Sequence, residues 1–133
     1  MTVTRFSISL EKELLEELDL YADNNNFANR SQAVRHLIER NIVEKKWQCN
    51  NMVAGAIVMI YDHHKKDIIT RSNDIQHSYF DVILSSQHYH LSHDICLEII
   101  AVKGYANNLT ELSDKLIGIK GIKHGKLIMS KTD

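Results

Sequence analysis

The sequence predicts an α+β protein with two parts, and three observations support this class. Residues 1–47 read as one strand followed by two helices, because their apolar side chains recur first at every second position and then at helical spacing. Residues 48–52 form a polar break. The remainder alternates strands and helices in the order β-α-β-β-α-β, which is the ferredoxin-like split βαβ pattern. We therefore predict domains over residues 1–48 and 53–133, joined by a short linker.

The first strand, residues 3–10, alternates strictly between apolar and polar side chains. Phe6, Ile8 and Leu10 share its apolar face. Two amphipathic helices follow, and Ser31 is the expected N-cap of the second. This part contains no second strand, and a lone strand leaves its backbone donors and acceptors unpaired. We therefore expect the strand to pair with the same strand of a second copy, which makes this part a two-fold dimer.

Four strands and two helices are predicted in the second part. The strands are predicted over 53–62, 80–92, 95–105 and 121–130, and the helices over 63–77 and 107–121. Gly121 is the expected cap at the end of the second helix. A helix over 95–105 is the alternative, and the isoleucine and valine content of that segment favours a strand.

Composition and charge narrow the class of protein. A chain of 133 residues that is 44% hydrophobic can bury a core. It has no apolar run long enough to span a membrane and no signal-peptide pattern, so we expect a cytoplasmic location. Two cysteines make no disulfide framework, which fits a reducing compartment. The net charge of −1 gives no hint of nucleic acid, so any DNA binding would depend on a few well-placed cations.

The stretch HYHLSHDIC contains a group of candidate metal ligands. If a hairpin turn centres on His93, then His90 stands opposite Cys96 on the next strand. His88 then stands opposite Glu98. Because side chains alternate with period two, these four residues share one face of the sheet.

Two imidazoles and a thiolate are strong donors for borderline metals. A carboxylate can orient a ligand imidazole by accepting a hydrogen bond from its other ring nitrogen. His77, at the end of the preceding helix, would complete four ligands from the same chain or from a partner. Tetrahedral geometry would suit zinc and planar geometry would suit Ni(II) or Cu(II), so the residues alone leave the metal open. The alternatives are a solvated strand face with Cys96 as a small buried hydrophobe, and a Cys/His nucleophile. The second lacks any oxyanion-hole signal, so we expect no enzyme.

The polar face of the first strand is a candidate DNA-reading surface. Arg5, Ser7 and Ser9 would project together from a two-stranded ribbon, which fits the major groove of B-DNA. The start of the second helix, at Arg30 and Ser31, could hold a backbone phosphate.

These residues together resemble a known family. Residues 1–47 look like a ribbon-helix-helix DNA-binding domain, through RFSISL, LLEELD and NRSQAVRHLI. The remainder looks like an ACT-type regulatory domain. The combination, with QHxxxD, HxHxxHDxCLEI, KG and GIKHGKL, is similar to the bacterial nickel-responsive transcriptional regulators over essentially the whole chain.

The resemblance implies a planar Ni(II) site with three ligands from one chain and a fourth from a neighbouring chain. The three are His88, His90 and Cys96, and the fourth is His77. Glu98 and Gln76 would support these ligands from behind.

It also implies a homotetramer, a dimer of dimers, in which two DNA-binding dimers flank four regulatory domains. Arg5, Ser7 and Ser9 match the base-reading positions of the family, and Lys65 and Lys66 match a basic loop that touches DNA. Bound nickel would favour binding to a palindromic double-stranded operator, and the usual output is repression of nickel uptake.

This chain departs from the family in two places. The family's strand often carries threonines where this chain has Ser7 and Ser9, so we expect weaker apolar contact with thymine methyl groups and a different operator. Some members hold a second cation with acidic residues where this chain has Gln32 and His36, so the resemblance does not carry that site over. Two other functions stay open: an antitoxin-like module that binds DNA and protein, and a small-molecule sensor without metal.

Overall fold

Two helices build the N-terminal unit, which ends at Asn41; the second unit begins at Ile42. The protein is described here by a computed structural model that covers residues 2–133. Helix α1 spans Lys12–Asn24 and helix α2 spans Arg30–Gln48, so the last turns of α2 belong to the second unit. No helix among the described residues is long and apolar enough to cross a membrane.

The segment before α1 forms neither helix nor strand in the single chain. Its apolar side chains are uncovered, with Phe6 71% and Ile8 64% exposed. Together with Leu18 and Ile38 they line an open groove of about 830 Å³ within the N-terminal unit. A strand requires a ladder partner for its backbone groups. The strand at 3–10, paired with a second chain, therefore stays a prediction.

The start of α2 differs from its prediction, because Ser31 is not the N-cap. Asn29 takes that role, and its Oδ1 accepts a hydrogen bond of 2.9 Å from the backbone N–H of Gln32. The side chain of Gln32 reaches back and accepts a hydrogen bond of 3.0 Å from the N–H of Ala28. The first bond satisfies a donor that a helix start leaves free, and the second holds the backbone of the residue before the cap. Asn29 and Ser31 are both residue types that cap helices. The hydrogen bonds made by Asn29 and Gln32 place the start of the helix after Asn29.

The second unit is a four-stranded antiparallel sheet with two helices, in the order β2-β3-β1-β4. The strands are β1 Met52–Asp62, β2 Ile83–His90, β3 Ile95–Tyr105 and β4 His124–Met129. The helices are α3 Lys66–Ser78 and α4 Ala106–Ile117, and a 3-10 turn spans Phe80–Val82. This order is the predicted β-α-β-β-α-β succession, with a strand and not a helix over 95–105.

The core of this unit lies between one face of the sheet and its helices. Leu109, Leu112 and Leu116 recur at helical spacing on α4 and are fully buried. Trp47, in the last turn of α2, is buried in the same core, and its Nε1 donates a hydrogen bond of 2.8 Å to the carbonyl of Ser130. The polar break after α2 is accordingly a hydrogen-bonded turn, in which the N–H of Asn51 donates to the carbonyl of Lys46.

Helix α3 begins three residues later than predicted. The carboxylate of Asp62 accepts a hydrogen bond of 2.9 Å from the N–H of His64, and the N–H of Lys65 donates to the carbonyl of Asp62. An aspartate that bonds the backbone two residues on favours a turn over a helix. Residues 63–65 therefore form a turn.

Helix α4 ends earlier than predicted, and Gly121 is not its cap. The helix stops at Ile117, and the N–H of Gly118 bonds the carbonyl of Asp114 at 2.9 Å. Gly121 lies in the following loop with a φ of +103°, a conformation that favours glycine. A glycine at this position correctly indicates a backbone with positive φ. The sequence does not show that this glycine lies in the loop after the helix.

Candidate metal centre

The β2–β3 hairpin has the register predicted from its sequence. His90 pairs with Cys96 and His88 pairs with Glu98. In the turn between the strands, the N–H of Leu91 donates to the carbonyl of Ile95 at 2.9 Å. All four paired residues therefore point to the sheet face that the helices cover.

A cavity of about 140 Å³ opens beside these strands. It is lined by His88, His90, Cys96 and Glu98, together with Tyr61, Ser72 and other side chains. Cys96 is buried, whereas His88 and His90 lie on the edge strand β2 and are exposed. The cavity is thus closed at the thiol and open at the imidazoles.

His88 and Cys96 lie close together among the candidate ligands. The Sγ of Cys96 is 3.9 Å from the Nδ1 of His88. Metal bonds to these atoms are ~2.0–2.3 Å long, so two donors at this separation can share one ion. The ring of His90 lies edge-on to that of His63, with the ring centroids 4.9 Å apart.

A buried carboxylate supports this site. Glu98 is 2% exposed. Its Oε1 accepts a hydrogen bond of 2.8 Å from the hydroxyl of Tyr61. Its Oε2 accepts bonds from the Nε2 of Gln76 at 2.9 Å and the Oγ of Ser86 at 2.8 Å, and lies 3.5 Å from the Nε2 of His88. A buried charge is costly unless it is hydrogen-bonded in this way, so the network fixes Glu98 behind His88.

Two members of this network, Tyr61 and Ser86, were missed by the sequence reasoning. Ser86 stands two positions before His88 on the same strand face, so the period of two could have identified it. Tyr61 pairs with Cys96 across β1 and β3, a register that only the sheet order reveals. Burial, and next the bond to Glu98, raise the pKa of Tyr61. The phenol therefore keeps its proton and remains a donor to Glu98.

His77 stands apart from the other candidate ligands within the chain. It is exposed near the end of α3, and its ring lies 6.5 Å from that of Phe80. His77 does not line the cavity, whereas the neighbouring residue Gln76 donates a hydrogen bond to Glu98, which does line it. Successive helical side chains point about 100° apart, which explains the divergence. One chain therefore brings three candidate ligands to the cavity edge and directs the fourth elsewhere.

Comparison with known proteins identifies the family. Residues 54–130 match the NikR C-terminal nickel-binding domain, and residues 4–45 match the ribbon-helix-helix proteins of the copG family. The chain belongs to the nickel-responsive regulators. The two matches confirm the predicted fold class, an N-terminal ribbon-helix-helix domain before an α+β domain, and the predicted function, a nickel-dependent DNA-binding regulator that is not an enzyme. They decide against the antitoxin and the metal-free sensor.

Relatives align over nearly their whole length. A protein of Syntrophus aciditrophicus named as a nickel-responsive regulator is 47% identical over 128 residues, covering 96% of this chain and 93% of the relative. A Pyrococcus horikoshii protein with the same name is 43% identical, covering 99% and 96%. A solved structure of an uncharacterised protein from Thermotoga maritima aligns with 61% of this chain and all of its own, with a TM-score of 0.54 and 18% identity, which supports the fold alone.

The donor set of this nickel-responsive regulator fits Ni(II). Imidazole nitrogen and cysteine thiolate are both ligands that suit borderline metals. His88 presents its Nδ1 to the thiol of Cys96, while its Nε2 faces the carboxylate of Glu98. A carboxylate behind a ligand imidazole fixes the ring and raises its basicity. The residues present can therefore hold the metal that the family binds.

The predicted DNA-contacting residues are all exposed in the structure. They are Arg5, Ser7, Ser9, Arg30, Ser31, Lys65 and Lys66. Arg30 makes two hydrogen bonds to the carboxylate of Asp19, at 2.8 and 3.0 Å. Hydrogen bonding to Arg30 holds the pKa of Asp19 below its usual range. Arg30 would have to leave or share this partner to hold a phosphate.

Proposed function

We propose that this regulator senses nickel at a site shared between two subunits and, when loaded, binds a palindromic operator as a dimer of dimers. His88, His90 and Cys96 of one chain and His77 of the partner subunit would hold the ion. The output would be repression of nickel uptake, in the cytoplasm, where a reducing environment keeps both cysteines free as they are here.

The observation that carries this proposal is the division of the ligands. Three candidate ligands line one cavity at the open edge of the sheet, and His77, on α3, does not line it. A fourth ligand from a second chain would complete the set and make assembly depend on the metal.

Exposed apolar side chains near the edge strand β2 support association at this edge. Phe80 is 73%, Leu84 64% and Leu91 55% exposed. An exposed apolar edge strand is a template for pairing with another chain. Its position next to His88 and His90 fits an interface that contains the metal.

The N-terminal unit would form the DNA-binding dimers. Phe6 and Ile8 are uncovered in the single chain, and pairing with a second copy would bury them. The same pairing would present Arg5, Ser7 and Ser9 from both chains as one ribbon for the major groove.

The hydrogen-bond network of Glu98 would couple metal binding to the position of helix α3. It links His88 on β2 to Gln76 on α3, and His77 is the next residue on that helix. An ion that holds His88 and the partner's His77 would thus restrain α3 in both subunits. Nickel would favour the operator-binding arrangement because it binds that arrangement better.

The test is a Ni(II) titration of the apo-protein, with the thiolate-to-nickel absorption band and operator affinity measured at each point. We expect the band and the affinity to rise together in the wild type and to be lost together in Cys96→Ala. Cys49→Ala is the matched control, because Cys49 is free and exposed outside the cavity. Full nickel-dependent DNA binding by Cys96→Ala would contradict the proposal.

A further inference from the structure

The last turn of α2 is held by the segment that follows β4. The indole of Trp47 is buried, and its Nε1 donates a hydrogen bond of 2.8 Å to the carbonyl of Ser130. The N–H of Ser130 donates to the carbonyl of Ala54, so this segment is itself fixed to β1. The Nζ of Lys46 lies 2.7 Å from the Oδ1 of Asp133. Two neighbouring residues of α2 therefore bond to the same short segment.

The sheet leaves room for this indole at Gly55 of β1. A Cβ at that position would lie 3.4 Å from the Cζ2 of Trp47 and would overlap the carbonyl oxygen of Ile128. Val43, one turn earlier on α2, packs against the same core. The end of α2 is thus fixed on the sheet by packing as well as by hydrogen bonds.

Helix α2 is shared between the two units. It is continuous from Arg30 to Gln48, whereas the unit boundary falls between Asn41 and Ile42. The turn that Trp47 holds is therefore part of the same helix whose first turns belong to the N-terminal unit. Its hold on the sheet determines the direction in which the helix leaves the second unit.

Strand β1 connects this turn to the candidate metal centre. It begins three residues after α2 and passes the indole at Gly55. At its other end, the hydroxyl of Tyr61 donates to Glu98, whose carboxylate lies behind His88. One central strand therefore joins the residues beside Trp47 to the network at the metal centre.

We propose that Trp47 is a positioning residue for nickel-dependent DNA binding. It is buried in the second unit and does not line the cavity, so it acts through α2 and β1 and not on the ion. A fixed α2 has fewer arrangements to give up when the operator is bound, so the free energy of nickel binding is not lost in ordering the helix. This inference rests on nickel-dependent DNA binding and not on the shared ligand set proposed above.

The test measures the affinity for an operator duplex, selected from random-sequence DNA with the nickel-loaded wild type, with and without saturating Ni(II). Trp47→Phe removes the Nε1 donor and keeps an aromatic ring. We expect it to show the wild-type thiolate-to-nickel band and to lose about tenfold of the nickel-dependent gain in operator affinity. Leu116→Val is the matched control, because it removes a methylene from the same core on α4, and it should keep the gain.

Amide hydrogen exchange of the full chain checks the cause. Residues 42–48 should exchange faster in Trp47→Phe than in Leu116→Val. Asp133→Ala removes an exposed partner of Lys46 and leaves the core intact, so it should change exchange and operator affinity in the same direction by a smaller factor. If Trp47→Phe does not fold, unchanged exchange over 42–48 in Asp133→Ala would overturn the proposal.

Three further results would contradict the role of Trp47. They are a full nickel-dependent gain in Trp47→Phe, an equal loss in Leu116→Val, and loss of the nickel band in Trp47→Phe. The second would indicate a general effect of stability, and the third would place the effect at the ion. Cys96→Ala, which tests the proposed function, should lose the band that Trp47→Phe retains, so the two failures are distinguishable.

Discussion

Glu98 shows how a single residue can serve both stability and function. Its carboxylate is buried, and three side chains donate to it: Tyr61, Gln76 and Ser86. Two of these donors have a further partner: the Nε2 of Gln76 also donates to the Oγ of Ser72, and the hydroxyl of Tyr61 lies 3.5 Å from the Nδ1 of His88. The same carboxylate stands behind His88, so the group that stabilises the sheet also orients a candidate ligand.

Glu98→Ala should therefore destabilise the protein before any metal is added. Removing the acceptor leaves buried donors unpaired, at a cost of about 1–3 kcal/mol. Urea unfolding of the apo-protein measures the difference. Glu111→Ala is the control, because Glu111 is exposed and its i,i+4 pair with Lys115 lies at the surface, where such a pair contributes little to stability. Equal stability of the two variants would show that the network does not stabilise the fold.

At the scale of elements, the sequence predicted the hairpin better than the helix ends. The register of His88 and His90 follows from strict period-two alternation and one short turn, so a single choice of turn centre determines every pair. Helix ends have no such constraint. Asp62 starts the turn before α3 through its side chain, and a polar run such as 63–65 does not reveal which bond forms.

The first strand could be predicted only as part of an assembly. Its apolar alternation is clear, but its ladder requires a second chain, so the single chain leaves it without regular structure. The position of His77 has a different cause. Its spacing from His88 suggests a fourth ligand, and the helix phase that directs it away is a property of the folded unit.

Gly121 provides a test of the loop that replaced the predicted helix end. Its φ of +103° is strained for any other residue, and a Cβ would lie 2.8 Å from the Cδ1 of Ile68. Gly121→Ala should therefore lower the free energy of unfolding by more than about 1 kcal/mol. Lys120→Ala, at the exposed neighbouring position, should change it by less than about 0.5 kcal/mol. Thermal unfolding of both variants measures the difference, and equal stability would show that Gly121 does not constrain this loop.

At the scale of the whole molecule, the proposed site would be complete only between subunits. In a tetramer of His77→Ala chains, every site would lack its fourth ligand. In a tetramer of Cys96→Ala chains, every site would lack its thiolate. Neither variant alone should give the thiolate-to-nickel band of the wild type.

Mixed tetramers of these two variants should regain that band. A site that takes its three ligands from a His77→Ala chain can receive the imidazole of His77 from a neighbouring Cys96→Ala chain, so all four ligands are present. Co-expression with two different affinity tags isolates the mixed assemblies, and nickel titration counts their complete sites. If all four ligands came from one chain, each chain would still lack one ligand and mixing would restore nothing. Recovery of the band on mixing therefore separates a shared site from four independent ones.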